Sequence, residues 1–426
     1  MCCPPCGHCS WRQADSVNEP RLHWLEREAP TWSPRRRTVS ATRGAGTALL
    51  AFVAMWVTAH SQSQAVDGLT GAPALAHVYD AIFDARFDEV PASLAAACPP
   101  APAEACLVLE AVSVWWEIQL DPFSTAHDTR FQSRVETAIT ATTAWTQREP
   151  ERAEAWFFLG GAYSARARWR VLRGARLAAA RDGKQIKHAL ERALDLDPSL
   201  ADARFGIGLY QYYADVAPKA LRMFRWLLLL PGGDREKGLA EMLRARATSR
   251  LLGDEADYQL HRIYLWYEKT PALALDLIEG LRARHPRNPH FWQAAAEIED
   301  VYLHDITASL QTWEALLEAA QMGRVAAASM AEAAARLGMA LQLDRLARRD
   351  AALEQLRAVI AAHPSAPFGA SARAHYQLGQ VLEHTGRNAE AAAAYRTAIA
   401  QAGRDDPLGI ADGARRSLRM LGRKGE

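Results

Sequence analysis

The amino-acid sequence predicts an all-α fold in which paired antiparallel helices stack into a right-handed α-solenoid of about sixteen helices. Three observations predict it. A small-residue/large-residue code recurs between Ala201 and Ile410 at a period of roughly thirty-four residues. Its fullest copy is Ala374, His375, Leu378, Gly379, Leu382, Gly386, Ala391, Tyr395 and Ala398. A shorter form repeats as Ala274, Ile278, Leu281, Pro286 and as Ala352, Leu356, Val359, Pro364, an alanine followed on one helix face by apolar residues and closed by a proline. Strand signals, finally, are absent: β-branched runs are few and no Asn-Gly hairpin turn occurs.

Composition narrows the function classes. The 50 basic residues nearly balance the 49 acidic ones, for a net charge of +1. Seven of those basic residues and four of the acids fall in the first 65 positions, leaving a net of −2 on the rest. Such a balance gives no general pull toward nucleic acid or an acidic membrane, so electrostatic recognition has to come from a local patch.

Residues 1–38 are patternless. Cys2, Cys3, Cys6 and Cys9, with His8, have the close spacing of a zinc knuckle. Their place ahead of a targeting signal reads instead as a disordered or mis-assigned extension, and no metal is expected. Residues 39–65 read as a signal peptide. Arg35, Arg36, Arg37 and Arg43 precede the apolar run Thr47–Ala59, and Ser63 with Ala65 supplies a small-x-small cleavage site. The run is shorter than the roughly twenty residues a spanning helix needs, although an uncleaved N-terminal anchor stays open as an alternative. The expectation is export, to a periplasm or cell envelope. In an oxidising compartment Cys98 and Cys106, which flank PPAPAEA, are in reach of a disulfide across a short interhelical link.

From Ala72 onward the chain reads as amphipathic helices, with degenerate repeats over 66–150, central repeats over 151–268 and C-terminal repeats over 269–426. The stops are regular: LDLDP ends at Pro198, ARHP at Pro286 and AAHP at Pro364. Each proline turns the chain back for the next antiparallel helix. Large residues then return in register, Trp156 after Pro150 and Trp292 after Pro286. Gly160, Gly208, Gly379 and Ala391 mark close helix crossings, with Tyr163, Leu190 and Tyr395 filling the space between. One unit departs from the period. Tyr163 and Ile186 stand about fourteen residues further apart than the repeat allows, which predicts a hairpin of two unusually long helices.

These spacings resemble the tetratricopeptide-repeat superfamily, most closely at Ala374–Ala398 and at Trp156, Leu159, Gly160, Tyr163, Ala193 and Pro198. The centre, GIGLYQYYADVAPKALRMFRWLLLLPGGDREKGLAEM, is similar to the corresponding stretch of the tetratricopeptide repeat protein 39 group and its fungal inclusion-body-clearance relatives. That second likeness covers about 200–300 and implies a helical fold and no particular activity.

Four features are candidates for function. From Arg166 to Lys187 basic residues outnumber acids, and on one continuous helix Arg166, Arg170, Arg173 and Arg181 would fall within about 80°, unless Gly174 breaks the stripe or it is only a solvated outer face. Such a stripe suits a carboxylate, a phosphate or an acidic peptide. Phe205, Leu209, Tyr212 and Tyr213 recur at helical spacing, which suits core packing equally, and the resemblance implies that first-helix side chains of this kind line a peptide-holding groove. Leu221–Leu230 is apolar nearly all round, so it is either buried or docks on a greasy surface. PGGDREKG at 231–238 reads as a turn with Asp234 capping the next helix.

No zinc-protease, nucleophile-elbow or P-loop motif is present, and His127-Asp128 and His304-Asp305 stand without the further histidines a phosphohydrolase needs. The expectation is a non-enzymatic scaffold for a protein or peptide partner, with no cofactor and no nucleic acid. A peripheral membrane-associated or lipid-handling repeat protein is the alternative.

Overall fold

The computed structural model describes residues 68–216, 232–404 and 406–424, which belong to one structural unit. The features read at 1–38 and 39–65, and the apolar run Leu221–Leu230, lie outside the described residues. Among the described residues there are seventeen α-helices and no strand. The N-terminal stretch holds α1 (Ala72–Phe83), α2 (Val90–Ala97), α3 (Ala103–Leu120) and α4 (Asp128–Arg148). A long hairpin follows, α5 (Ala153–Leu172) and α6 (Arg176–Leu196), then α7 (Ala201–Val216), α8 (Arg235–Thr248), α9 (Gly253–Trp266) and α10 (Pro271–Arg284). Next comes α11 (Pro289–Glu297), which runs on into a π-helical turn at Ile298–Tyr302. The remainder is α12 (Ile306–Gln321), α13 (Ala328–Arg345), α14 (Arg349–Ala362), α15 (Ala370–His384), α16 (Asn388–Ala402) and α17 (Ile410–Lys424). Successive helices pack on one another as the hairpins of an α-solenoid.

The stops act where the sequence puts them. α6, α10 and α14 each end two residues short of Pro198, Pro286 and Pro364, because proline disfavours helix in the residue before it. Several helices then start on a side-chain cap. Asp234 accepts the Lys237 N–H at 2.9 Å, Asn288 the His290 N–H at 3.0 Å and Asp305 the Ala308 N–H at 2.9 Å. The two tryptophans in register also have a common task. Trp156 donates its indole N–H to the Pro150 carbonyl at 2.9 Å, and Trp292 to the Pro286 carbonyl at 3.1 Å. Each one pins a corner of the chain.

The small residues are small for a reason. A Cβ on Gly160 would lie 2.8 Å from Leu190, and one on Gly379 would lie 2.5 Å from the Tyr395 ring. At the α7–α8 crossing backbone meets backbone: a Cβ on Gly208 would come within 2.8 Å of the Gly238 carbonyl, and one on Gly238 within 2.6 Å of the Gly208 carbonyl. The insertion between Tyr163 and Ile186 is absorbed as predicted, in helices of 20 and 21 residues. They are joined at Gly174, whose φ of 75° favours glycine. Cys98 and Cys106 are bonded, with sulfurs 2.09 Å apart, tying the end of α2 to α3.

The sequence did not reveal how the N-terminal helices pack. Phe83 of α1 and Trp116 of α3 join Tyr258 of α9 and Phe291 of α11 in one cluster, with ring centroids 4.5 to 6.3 Å apart. Buried Asn288 donates to the Phe83 carbonyl at 2.7 Å across 205 positions, and Asp121 accepts the Phe368 N–H at 2.9 Å across 247. The chain's own beginning thus packs against α9, α11 and the entry of α15. One continuous core runs from Leu69 to Ile298, and a second from Leu310 to Leu421.

Candidate functional site

The basic hairpin is built differently from the predicted stripe. Gly174 ends α5, so Arg181 stands on α6 and not on one helix with Arg166, Arg170 and Arg173. Asp182, on the inner side of α6 and 2% exposed, takes Arg166 at 2.8 Å and Arg170 at 2.7 Å. Arg166 also forks onto Glu136 at 2.6 and 2.8 Å. Arg173 forks onto Asp128 at 2.8 and 2.9 Å and donates to the carbonyls of Pro122 and Ser124. Arg168 bridges to Glu255. These guanidiniums cement α4, α5, α6 and α9, because a buried carboxylate needs its counter-charge. Asp128 is therefore a structural counter-ion, and the His127-Asp128 adjacency is incidental. Arg181 is exposed and makes no ion pair among the described residues.

The aromatic helix needs a similar correction. Phe205 and Tyr212 are buried in the core between α7, α8 and α9, so they do not line an open groove. Tyr212 donates its hydroxyl to Glu268, which Arg235 holds at 2.8 Å. Burial and then that carboxylate push the Tyr212 hydroxyl above its ordinary range. Leu209 and Tyr213 are partly exposed, and Tyr213 meets the edge of Tyr267 with centroids 5.6 Å apart. Phe205 and Tyr212 go to the core because they lie on the side of α7 that faces α8 and α9, and α7 crosses α8 at glycine distance.

A different group of polar residues meets where α3, α11 and α15 converge. Asp121 follows α3, Glu297 ends the regular part of α11 and Arg373 lies in the first turn of α15. All three are partly exposed. Burial raises the Asp121 carboxyl, with the Phe368 N–H and nearby cations opposing it. Burial, seconded by Asp300, raises Glu297. The Arg373 guanidinium is drawn down to about 10 by burial, which Asp121 and Glu297 only partly offset. Among the described residues neither Arg373 nor the Glu297 carboxyl has a hydrogen bond or an ion pair. One turn on from Arg373, the buried Gln377 Oε1 also lacks a partner. Arg373 and Glu297 are thus opposite charges that feel one another without pairing, at a partly exposed place between helices.

The neighbouring histidines are neutral. His290, seven residues before Glu297 on the same face of α11, sits 3.0 Å from the Tyr258 hydroxyl. Burial and then Arg262 bring it down to about 4. His261 is held well below its usual value by the same two causes, and its Nδ1 has no partner. Sequence reasoning missed this niche, and the only legible signal was the His290/Glu297 spacing. A separate surface cavity of about 190 Å³ lies between α1 and the α8–α9 turn, lined by Tyr79, Asp80, Phe83, Arg250 and Asp254 among others. No helix among the described residues is long and apolar enough to cross a membrane.

Comparison with known proteins bears on the repeats. A tetratricopeptide-repeat family model matches residues 337–407, the stretch that contains the fullest copy of the code. No curated protein sequence matches the chain. Among solved structures, the chain is similar to one in the APC/C hetero-tetramer Cut9–Hcn1, at 12% identity and a TM-score of 0.39, over 74% of this chain and 55% of that one. It is also similar to yeast Tom70, at 14% identity and a TM-score of 0.37, over 74% of this chain and 67% of Tom70. The chain therefore spans little more than half the length of the first of these.

Proposed function

We propose that this tetratricopeptide-repeat chain is an exported, non-enzymatic scaffold of the periplasm or cell envelope, and that it holds an extended segment of a protein partner. Tetratricopeptide repeats are protein-interaction modules, and rigid stacked helices suit that task. The observation that carries the reading is the niche between α3, α11 and α15. A peptide main chain offers N–H and C=O groups in alternation, and the partly exposed Arg373 and Glu297 present a complementary donor and acceptor that make no hydrogen bond or ion pair among the described residues. Export rests on the arginines ahead of Thr47–Ala59 and on the Cys98–Cys106 bond, which an oxidising compartment favours.

The test is affinity capture of the C-terminally tagged chain from the envelope fraction of its own cells, comparing wild type with Arg373→Met. Loss of a stoichiometric partner in the variant, without loss of stability, supports the reading. Unchanged capture overturns the niche as the site. N-terminal sequencing of the captured chain tests export, with Val66 the expected first residue.

A further inference from the structure

We propose that the tip of the α5–α6 hairpin is a docking surface for an anionic phospholipid membrane, with Leu177 entering the headgroup layer among Arg176, Arg181 and Lys184. The tip is the part of the chain that the repeat itself does not require. Its inner side is consumed by packing: Asp182, Ala179, Ala189 and Leu190 are buried, and Arg166, Arg170 and Arg173 are neutralised there. Its outer side is not. Arg176, Arg181 and Lys184 are exposed, and among the described residues none of them forms an ion pair.

Leu177 lies among them, 72% exposed, the most exposed large hydrophobic side chain of the described residues. At 100° per residue these four side chains fall within about 140° of α6. Val171, at the end of α5, adds a second exposed apolar group. An isolated exposed leucine is ordinary, but one ringed by unpaired cations at a helical tip matches what an anionic interface recognises. The cations are attracted to the headgroups, and their alkyl stems continue the apolar contact below the charge. Because these side chains lie on an exposed helix face and not around a cavity, a broad surface fits them better than a ligand that must be enclosed.

The experiment uses the full chain and phosphatidylcholine vesicles with or without about one-third phosphatidylglycerol. The readout is the ratio of anionic to neutral binding by co-sedimentation, compared between wild type and variants, all of which share the arginines at 35–43 and the apolar run Thr47–Ala59. The wild type should prefer anionic vesicles, and added salt should erase the preference. The variant R176E/R181E/K184E should reduce the ratio at least about tenfold, and Leu177→Ala about threefold. The variant R416E/R419E/R423E makes the same charge change on the exposed face of α17 and should stay within about twofold. All these side chains are exposed, so thermal melts should match the wild type. Hydrogen exchange over residues 173–188 of the wild type should slow with anionic and not with neutral vesicles. The proposal is overturned by an absent anionic preference, which would direct the search to an acidic protein. It is equally overturned by a retained preference in the tip variant, an equal loss in the α17 variant, or unchanged exchange at the tip.

Discussion

Asp121 accepts the backbone N–H of Phe368 through both carboxylate oxygens, at 2.9 and 3.1 Å, and so fastens the end of α3 to the entry of α15. Replacing Asp121 by alanine leaves that N–H unpaired in a crowded place, at a cost of about 1–3 kcal/mol. Urea denaturation should report the loss, and the Phe368 amide should exchange faster. An unaltered Phe368 exchange rate would mean that the contact is not made in solution.

Arg166 and Arg170 both serve Asp182. The double replacement by serine strands a carboxylate that is 2% exposed, and should destabilise the chain by about 3–5 kcal/mol. Adding Asp182→Asn should recover a large part of that loss. A double variant that melts with the wild type would show that the pairs contribute nothing.

The crossing glycines differ in what faces them. Gly379 meets a tyrosine ring, which can tilt, whereas Gly208 meets the Gly238 carbonyl, which cannot. Gly379→Ala should cost about 1–3 kcal/mol and Gly208→Ala more, as read from paired denaturation curves. The reverse order would place the tighter contact at Tyr395.

Acid should weaken the fold through His290. Its folded value of about 4 lies below the ordinary 6.5, so the neutral form is the one that folding favours. That stability is fully present above pH 6.5 and drains away as pH falls toward 4, by about 3 kcal/mol in all. Asp121, Glu297 and Glu299 are shifted up and act in the opposite sense, stabilising as they protonate. His290→Gln separates the two. Its stability should fall less than the wild type's between pH 6.5 and 4, and parallel curves would remove His290 from the account.

Closing the eight-residue separation from Cys98 to Cys106 should contribute about 2–3 kcal/mol by loop entropy. Mass spectrometry without reductant should find the chain two hydrogen atoms lighter than the free-thiol form. The C98A/C106A variant should melt earlier.

The repeat was legible because its information is local. Gly160 with Leu190 and Gly379 with Tyr395 are partners within single hairpins, and a proline or a capping carboxylate acts within a few residues. The sites were less legible because their partners are remote. Nothing near Arg173 announces Asp128, and although Gly174 stands in the sequence as a possible break of the stripe, the helical period alone does not say that the chain turns there. The niche around Arg373 joins residues from three distant helices. Phe205 and Tyr212 had the right spacing for a groove and the right spacing for a core, and the close crossing of α7 on α8 decided between them.

The packing of α3 on α9 and α11 also sets a timetable. Trp116 leaves the ribosome long before Tyr258 and Phe291, its aromatic neighbours. At about 5–20 residues per second it waits roughly ten to thirty seconds for them. Throughout that interval the nascent chain carries an apolar helix whose aromatic partners on α9 and α11 are still unsynthesised, so the first helices made are among the last to be completed.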